Sequence, residues 1–181
     1  TISFISPEEM SFKINTKKSP TDDVHIRRML SWAFNYEAVT KQIEPTAGEA
    51  RGPIPSVIPG HNPRTFKYHY DLEKAREQMK KSKYYPDIPP IELVTPTGLA
   101  NRRKMAVMLK GSLQKLGVEL NINMETWGRM TDMAANADTT PNIMVTSVSS
   151  AYPDPDSYLY SMYHSKAAGT WMSSEWLQDP L

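Results

Sequence analysis

Asp154 and Asp156 stand one residue apart in the run AYPDPDSYL, and this pair comes nearest to acid–base chemistry by type and spacing. Alternate positions beside prolines suit a turn into a helix equally well, because a carboxylate there accepts otherwise unpaired backbone N–H groups. No histidine lies inside that run to act as a base. His25, His61, His69 and His164 show no i, i+4 pairing and no carboxylate at zinc-site spacing. The 181 residues contain no cysteine, which removes thiol nucleophiles, thiolate metal sites and disulfides together. A G-x-S-x-G elbow, a P-loop and a G-x-G-x-x-G fingerprint are all missing. The expectation is therefore no catalysis, no metal and no cofactor. The 11 methionines, at helical spacing, read as core filler.

Composition narrows the class further. Hydrophobic residues make up 39% and charged residues 23%, enough apolar material for the core of a single domain. A formal net charge of +1, with Lys and Arg scattered among acids, argues against a nucleic-acid surface. No apolar run approaches the ~20 residues of a membrane helix. The chain opens at Thr1 on TISFIS, a potential strand, without a methionine or a leader, and reads as a fragment of a longer protein.

The elements that must position these residues follow from periodicity and punctuation. Residues 10–15 mix apolar and polar positions as a short strand does. Asp22 or Asp23 caps a helix with Ile26, Leu30 and Ala33 on one face, and Asn35 caps a shorter one carrying Ala38, Val39 and Ile43. Residues 45–65 hold five prolines and three glycines, a density that neither helix nor ladder survives, so a long irregular crossing is expected. Asp71 caps the next helix, in which Leu72, Ala75 and Met79 share a face. Residues 91–95 read as a strand. A helix from about Asn101 turns Met105, Met108, Leu109, Leu113 and Leu116 inward, and Gly117 sits where a left-handed C-cap is wanted. Val118, Leu120, Ile122 and Met124 alternate with polar residues, the clearest strand pattern in the chain. A helix over 127–135, a buried strand over 142–148 and a loop leading into a last helix complete the order. Strands alternating with helices imply an α/β fold, with 91–124 as one βαβ unit and a mixed sheet of four or five strands flanked by helices.

The order of these pieces carries a resemblance. A strand holding Asn15 leads to PTDDVHIRRMLSWAFNYEAV, then GPIPSVIPGHNP, YDLEKAREQMKKS, IELVTPTG, LQKLGVELNINMETW and AYPDPDSYL. This resembles the peptide, opine and nickel class of extracytoplasmic solute-binding proteins, family 5, over about residues 10 to 165. The resemblance implies one lobe of a two-lobed, type II periplasmic-binding-protein-like fold. Residues 1–181 would form most of the second lobe as a single domain, with the first lobe and the chain's return to it absent. It also implies a function: capture of a peptide-like ligand, without chemical change, for the membrane permease of an ABC transporter. The expected setting is periplasmic or extracellular, with a lipid anchor on the parent protein as one option, and the expected state is a monomer. A ligand-sensing domain of a transcription regulator and, less well supported, a hydrolase are the other readings.

The resemblance also marks residues. Ser149, Ser150, Ala151 and Tyr152 match the family segment that contacts ligand backbone. Many peptide-binding members carry an aspartate at the place of Ala151, where it pairs with the ligand's free α-amino group. Losing the partner of a buried ammonium costs on the order of 3–5 kcal/mol. Either the ligand lacks a free amine at this point or another acid, Asp154 or Asp156, holds it. Trp127 matches a family tryptophan near the cleft and offers large apolar area at low entropic cost. Arg129, two residues on, could meet a ligand carboxylate as a bidentate fork. Tyr158 reads as core or helix packing. The reading requires the loop after residue 148 to be open at a groove and not sealed inside the fold.

Overall fold

The alternation around residues 118–125 becomes the outermost strand of a four-stranded sheet. A computed structural model of the chain describes residues 7–177, so the strand expected at residues 1–6 lies outside the described residues. In chain order the elements are β1 (Glu9–Ile14), α1 (Val24–Ala33), α2 (Tyr36–Ala38) running on into a π-helical turn (Val39–Ile43), and α3 (Leu72–Lys80). They continue with β2 (Ile91–Pro96), α4 (Ala100–Gln114), β3 (Leu120–Glu125), α5 (Trp127–Ala134), β4 (Ile143–Val148), α6 (Asp156–Tyr163) and a 3-10 turn (Ser165–Ala167). The sheet order is β1-β4-β2-β3, with β2 parallel to both neighbours and β1 antiparallel to β4. One edge therefore gathers the C-terminal ends of β2, β3 and β4 and the start of β1.

Side-chain alternation sends each strand's residues to two differently covered faces. Phe12, Ile14, Ile91, Leu93, Leu120, Ile143 and Val145 meet Ile26, Leu30, Ala75, Leu109 and Leu113, so α1, α3 and α4 cover the first face. Val94 and Met144 meet Met130 and Ala134, while Val148 meets Tyr158 and Met162, so α5 and α6 cover the second. Helices on both faces explain why β4 is largely apolar without alternation, whereas β3 keeps a polar side. Two inward assignments change. Met108 is only half-buried, and Met124 is 48% exposed because β3 outruns the helices that cover its start. Gly117 takes a φ of 76°, the left-handed conformation wanted after α4.

The cap of α1 resolves to Asp23. Its Oδ1 accepts from the His25 N–H at 2.8 Å, and its Oδ2 accepts from the Ser82 hydroxyl at 2.7 Å and the Lys83 N–H at 2.9 Å. Asp22 instead accepts from the Lys83 ammonium at 2.7 Å and the Tyr84 hydroxyl at 2.8 Å. Together they fasten the start of α1 to the segment after α3. Burial alone would push the Asp23 carboxyl up, but hydrogen bonds from Ser82, His25 and Lys83 outweigh it and hold the group below the ordinary carboxylate range. A carboxyl depressed in the folded state stabilises above its unfolded pKa, and that stabilisation fades as pH falls through the folded value. Asp23→Ala is expected to lower unfolding free energy by about 2–4 kcal/mol at neutral pH, combining a lost cap with two orphaned donors. Urea unfolding measures this, and the difference from the native protein should shrink in acid.

Candidate functional site at the end of β4

Two chain crossings set the site. After β2 the chain turns to α4 on the first face, and after β4 it turns to α6 on the second. β2 and β4 are neighbours, so their two outgoing loops leave towards opposite faces, the switch-point arrangement at which α/β sheets bind ligands. Their pairing also stops early. It covers Leu93 with Ile143 and Val94 with Met144, although both strands run on to the same edge. Arg102, in the first turn of α4, reaches this end of β4, where its Nη2 donates to the Ser147 hydroxyl at 2.8 Å and lies 3.5 Å from Glu8 Oε1.

The loop from Ser149 to Pro155 is held from below. Tyr158, with no exposed surface, places its hydroxyl under the loop, where it accepts from the Ser150 N–H at 3.1 Å and donates to the Pro7 carbonyl. The Ser157 hydroxyl accepts from the Ala151 N–H at 3.2 Å. The Asp154 N–H donates to the Tyr152 carbonyl at 2.8 Å, and Asp154 Oδ1 accepts from the Asp156 N–H at 2.9 Å. The Tyr152 hydroxyl donates to Asp156 Oδ2 at 3.2 Å, and that carboxylate raises the Tyr152 phenol above its ordinary pKa. The irregular 45–65 segment supports the loop from the side: Ile58 packs with Val148, Tyr158 and Met162, and Gly60 sits against Pro155.

The predicted residues fall into two groups on this edge. Ser149, Ala151, Tyr152 and Asp154 are exposed and Ser150 is half-buried, so the loop is open to solvent and not sealed inside the fold. Trp127 and Arg129 open α5 from the end of β3, which β2 separates from β4. The Trp127 ring is 45% exposed and rests edge-on against Trp171 at 5.0 Å, and Arg129 is exposed. Asp154 has one carboxylate oxygen committed to the turn. An apolar cavity of about 570 Å³ lies elsewhere, along β1 beneath residues 47–56, and none of the seven predicted residues lines it. Sequence reading missed Arg102, which looks like any helix-surface arginine, and the hydroxyl role of Tyr158, whose packing it did anticipate. It also missed Glu9, Ser11 and Lys13. Their alternation with Met10, Phe12 and Ile14 suggests a solvent-facing side, yet Lys13 is 2% exposed and bonds Glu175 at 2.9 Å.

This fold is that of a known class. Residues 3–170 match the model of bacterial extracellular solute-binding proteins, family 5, middle region, and the chain belongs to that family. It is 29% identical over 150 residues to di/tripeptide-binding protein 2 of Pseudomonas aeruginosa, covering 81% of this chain and 28% of that protein. Heme-binding protein A of Haemophilus influenzae is 28% identical over 159 residues, covering 86% and 29%. Among solved structures, the periplasmic binding protein DppA of Helicobacter pylori in complex with the peptide STSA superposes with a TM-score of 0.79 at 25% identity, covering 91% of this chain and 32% of that one. HbpA2 of Haemophilus parasuis superposes with a TM-score of 0.87 at 20% identity, covering 96% and 34%. The chain thus spans about a third of the length of the proteins it matches. Family members are substrate-binding transport proteins and not enzymes.

The support from residues 45–65 can be tested at Gly60. Its φ is 88°, and a Cβ there would stand 2.9 Å from Pro155 Cγ. Gly60→Ala is expected to lower unfolding free energy by about 1–3 kcal/mol, through backbone strain and the displaced turn. Chemical denaturation measures the loss, and hydrogen exchange should show it concentrated in residues 149–156.

Proposed function

We propose that this chain is most of the second lobe of a two-lobed carrier that captures peptide-like ligands outside the cytoplasm and hands them to the permease of an ABC importer. The observation that carries this is the position of the 149–154 loop, open to solvent at the switch point of a family 5 sheet. A carrier of many peptides has to satisfy ligand amides while tolerating varied side chains, and loop backbone does so because main-chain hydrogen bonds ignore ligand sequence. The named relatives in the family include di/tripeptide- and dipeptide-binding proteins, which supports a peptide-like ligand. On this reading Ser149, Ser150, Ala151 and Tyr152 meet ligand main chain, Trp127 offers an apolar wall and Arg129 faces a ligand carboxylate. Capture occurs between lobes as a monomer, and no ligand bond is changed.

Ala151 sets the specificity. It brings no charge to the loop, and the nearest acid, Asp154, spends one oxygen on the Asp156 N–H. On this reading the ligand presents no free α-amino group at Ala151. Calorimetry of the full-length protein should find N-acetylated peptides binding at least as tightly as their free-amine counterparts. A strong preference for free amines would defeat the amine-free assignment, and no peptide binding at all would defeat the peptide reading itself. Trp127→Ala should weaken peptide binding by about tenfold or more, as loss of an aromatic anchor does. Because the indole is half-exposed and rests on one other ring, stability should change by less than about 1 kcal/mol.

A further inference from the structure

Behind the loop lies a polar chamber in which Lys13 and Ser174 are buried and Glu9, Ser11 and Glu175 half-buried. Glu9, Ser11 and Lys13 point to the second face of the sheet, and in the β1–β4 register Ser11 stands opposite Thr146 and Glu9 opposite Val148. The C-terminal segment adds Ser174 and Glu175 to the chamber. The Lys13 ammonium, with no exposed side-chain surface, bonds Glu175 Oε1 at 2.9 Å. Around that pair, Glu9 Oε2, Glu175 Oε2, Ser11 Oγ, Thr146 Oγ1 and Ser174 Oγ are all shut off from solvent without a hydrogen-bond partner. One ammonium thus serves two carboxylates. With both ionised the chamber carries a net charge of −1, and burial makes that charge costly.

We infer that the chamber holds one exchangeable proton on Glu9, and that losing it releases the latch beneath the 149–154 loop. The latch is the Tyr158 hydroxyl, which joins the Pro7 carbonyl, two residues before Glu9, to the Ser150 N–H. Whatever loosens the start of β1 therefore loosens the loop. The groups facing Glu9 are Lys13 on its own strand, Glu175 from the C-terminal segment and the Tyr163 phenol from α6. β4 adds only the neutral Val148 and Thr146. On the other side of β1, Glu8, Glu49, Arg51 and His61 border the cavity that Glu9 also lines. Burial pushes the Glu9 carboxyl up, Lys13 draws it down and Glu175 pushes it up again, to about 7. A carboxyl raised in the folded state stabilises fully below its unfolded pKa, and that contribution is lost as pH climbs through the folded value. The latch is therefore closed in mild acid and loosens above neutrality.

The inference gives the proposed ligand loop a regulation and rests on that reading for its purpose, but its test needs no ligand. Hydrogen exchange of the full-length protein, corrected for intrinsic rates, would be followed in residues 7–14 and 149–158. Opening of both segments should rise together by about tenfold between roughly pH 5.5 and roughly pH 8. Glu9→Gln, neutral at every pH, should flatten both profiles. Tyr158→Phe should leave the pH dependence in 7–14 and remove it from 149–158. A flat profile in the native protein would overturn the inference, as would a rise in 149–158 that survives either substitution. Should Glu9→Gln fail to fold, the native and Tyr158→Phe profiles still decide. A negative result leaves the carrier reading to stand or fall on peptide calorimetry.

Discussion

β4 is the strand on which the rest depends. It is paired on both sides and buried on both faces, so its residues have no freedom to serve solvent. Six residue pairs hold it to β1, whereas only two hold it to β2. The asymmetry matters because the unpaired stretch lies at the edge where the outgoing loops diverge. A strand gripped over its full length on one side and freed early on the other can end in an open loop without fraying. The loop inherits that rigidity through Tyr158, whose ring is sealed in the core beside Val148 while its hydroxyl meets the loop backbone.

Much of the fold was legible because burial here follows simple periods. The i, i+4, i+7 set of Ile26, Leu30 and Ala33 is buried, and the βαβ unit over 91–124 forms with its glycine in the expected left-handed turn. The capping aspartates show where such reading stops. Asp22 and Asp23 are equivalent as local signals. Both take partners some 60 residues away, and what separates them is which partners: the Ser82 hydroxyl and Lys83 N–H hold Asp23 where it caps the His25 N–H, while the Lys83 ammonium and Tyr84 hydroxyl draw Asp22 aside. Met124 marks the same limit from the opposite side. Its alternation is faithful, but the helices that would cover it end short, and cover is a property of the assembled layers.

The site was legible in location and less so in wiring. Topology alone put the 149–154 loop at a strand end, and resemblance to the family singled out its residues. No local pattern could reveal that Tyr158 and Ser157 hold that loop, because a tyrosine on an apolar helical face looks the same whether or not its hydroxyl has work. β1 misleads more strongly. Alternating Glu9, Ser11 and Lys13 has the look of a solvent-facing side, and it is turned inward because Glu175, far along the chain, supplies a counter-charge. An ion pair separated by 162 positions leaves no trace in local sequence.

The internal wiring of the loop bears on what it offers a ligand. The Ser150 and Ala151 N–H groups are already donating, to Tyr158 and Ser157, and the Asp154 N–H donates to the Tyr152 carbonyl. A molecule approaching the loop thus finds these donors committed, while the carbonyls of Ser149, Ser150 and Ala151 retain lone pairs, since a carbonyl accepts twice and an N–H donates once. A surface biased towards acceptors favours a ligand rich in donors, and a peptide main chain presents one N–H per residue. The same hydrogen bonds that stiffen the loop therefore leave it with acceptors to offer and few donors. Holding the loop and choosing its ligand are, on this view, one physical arrangement.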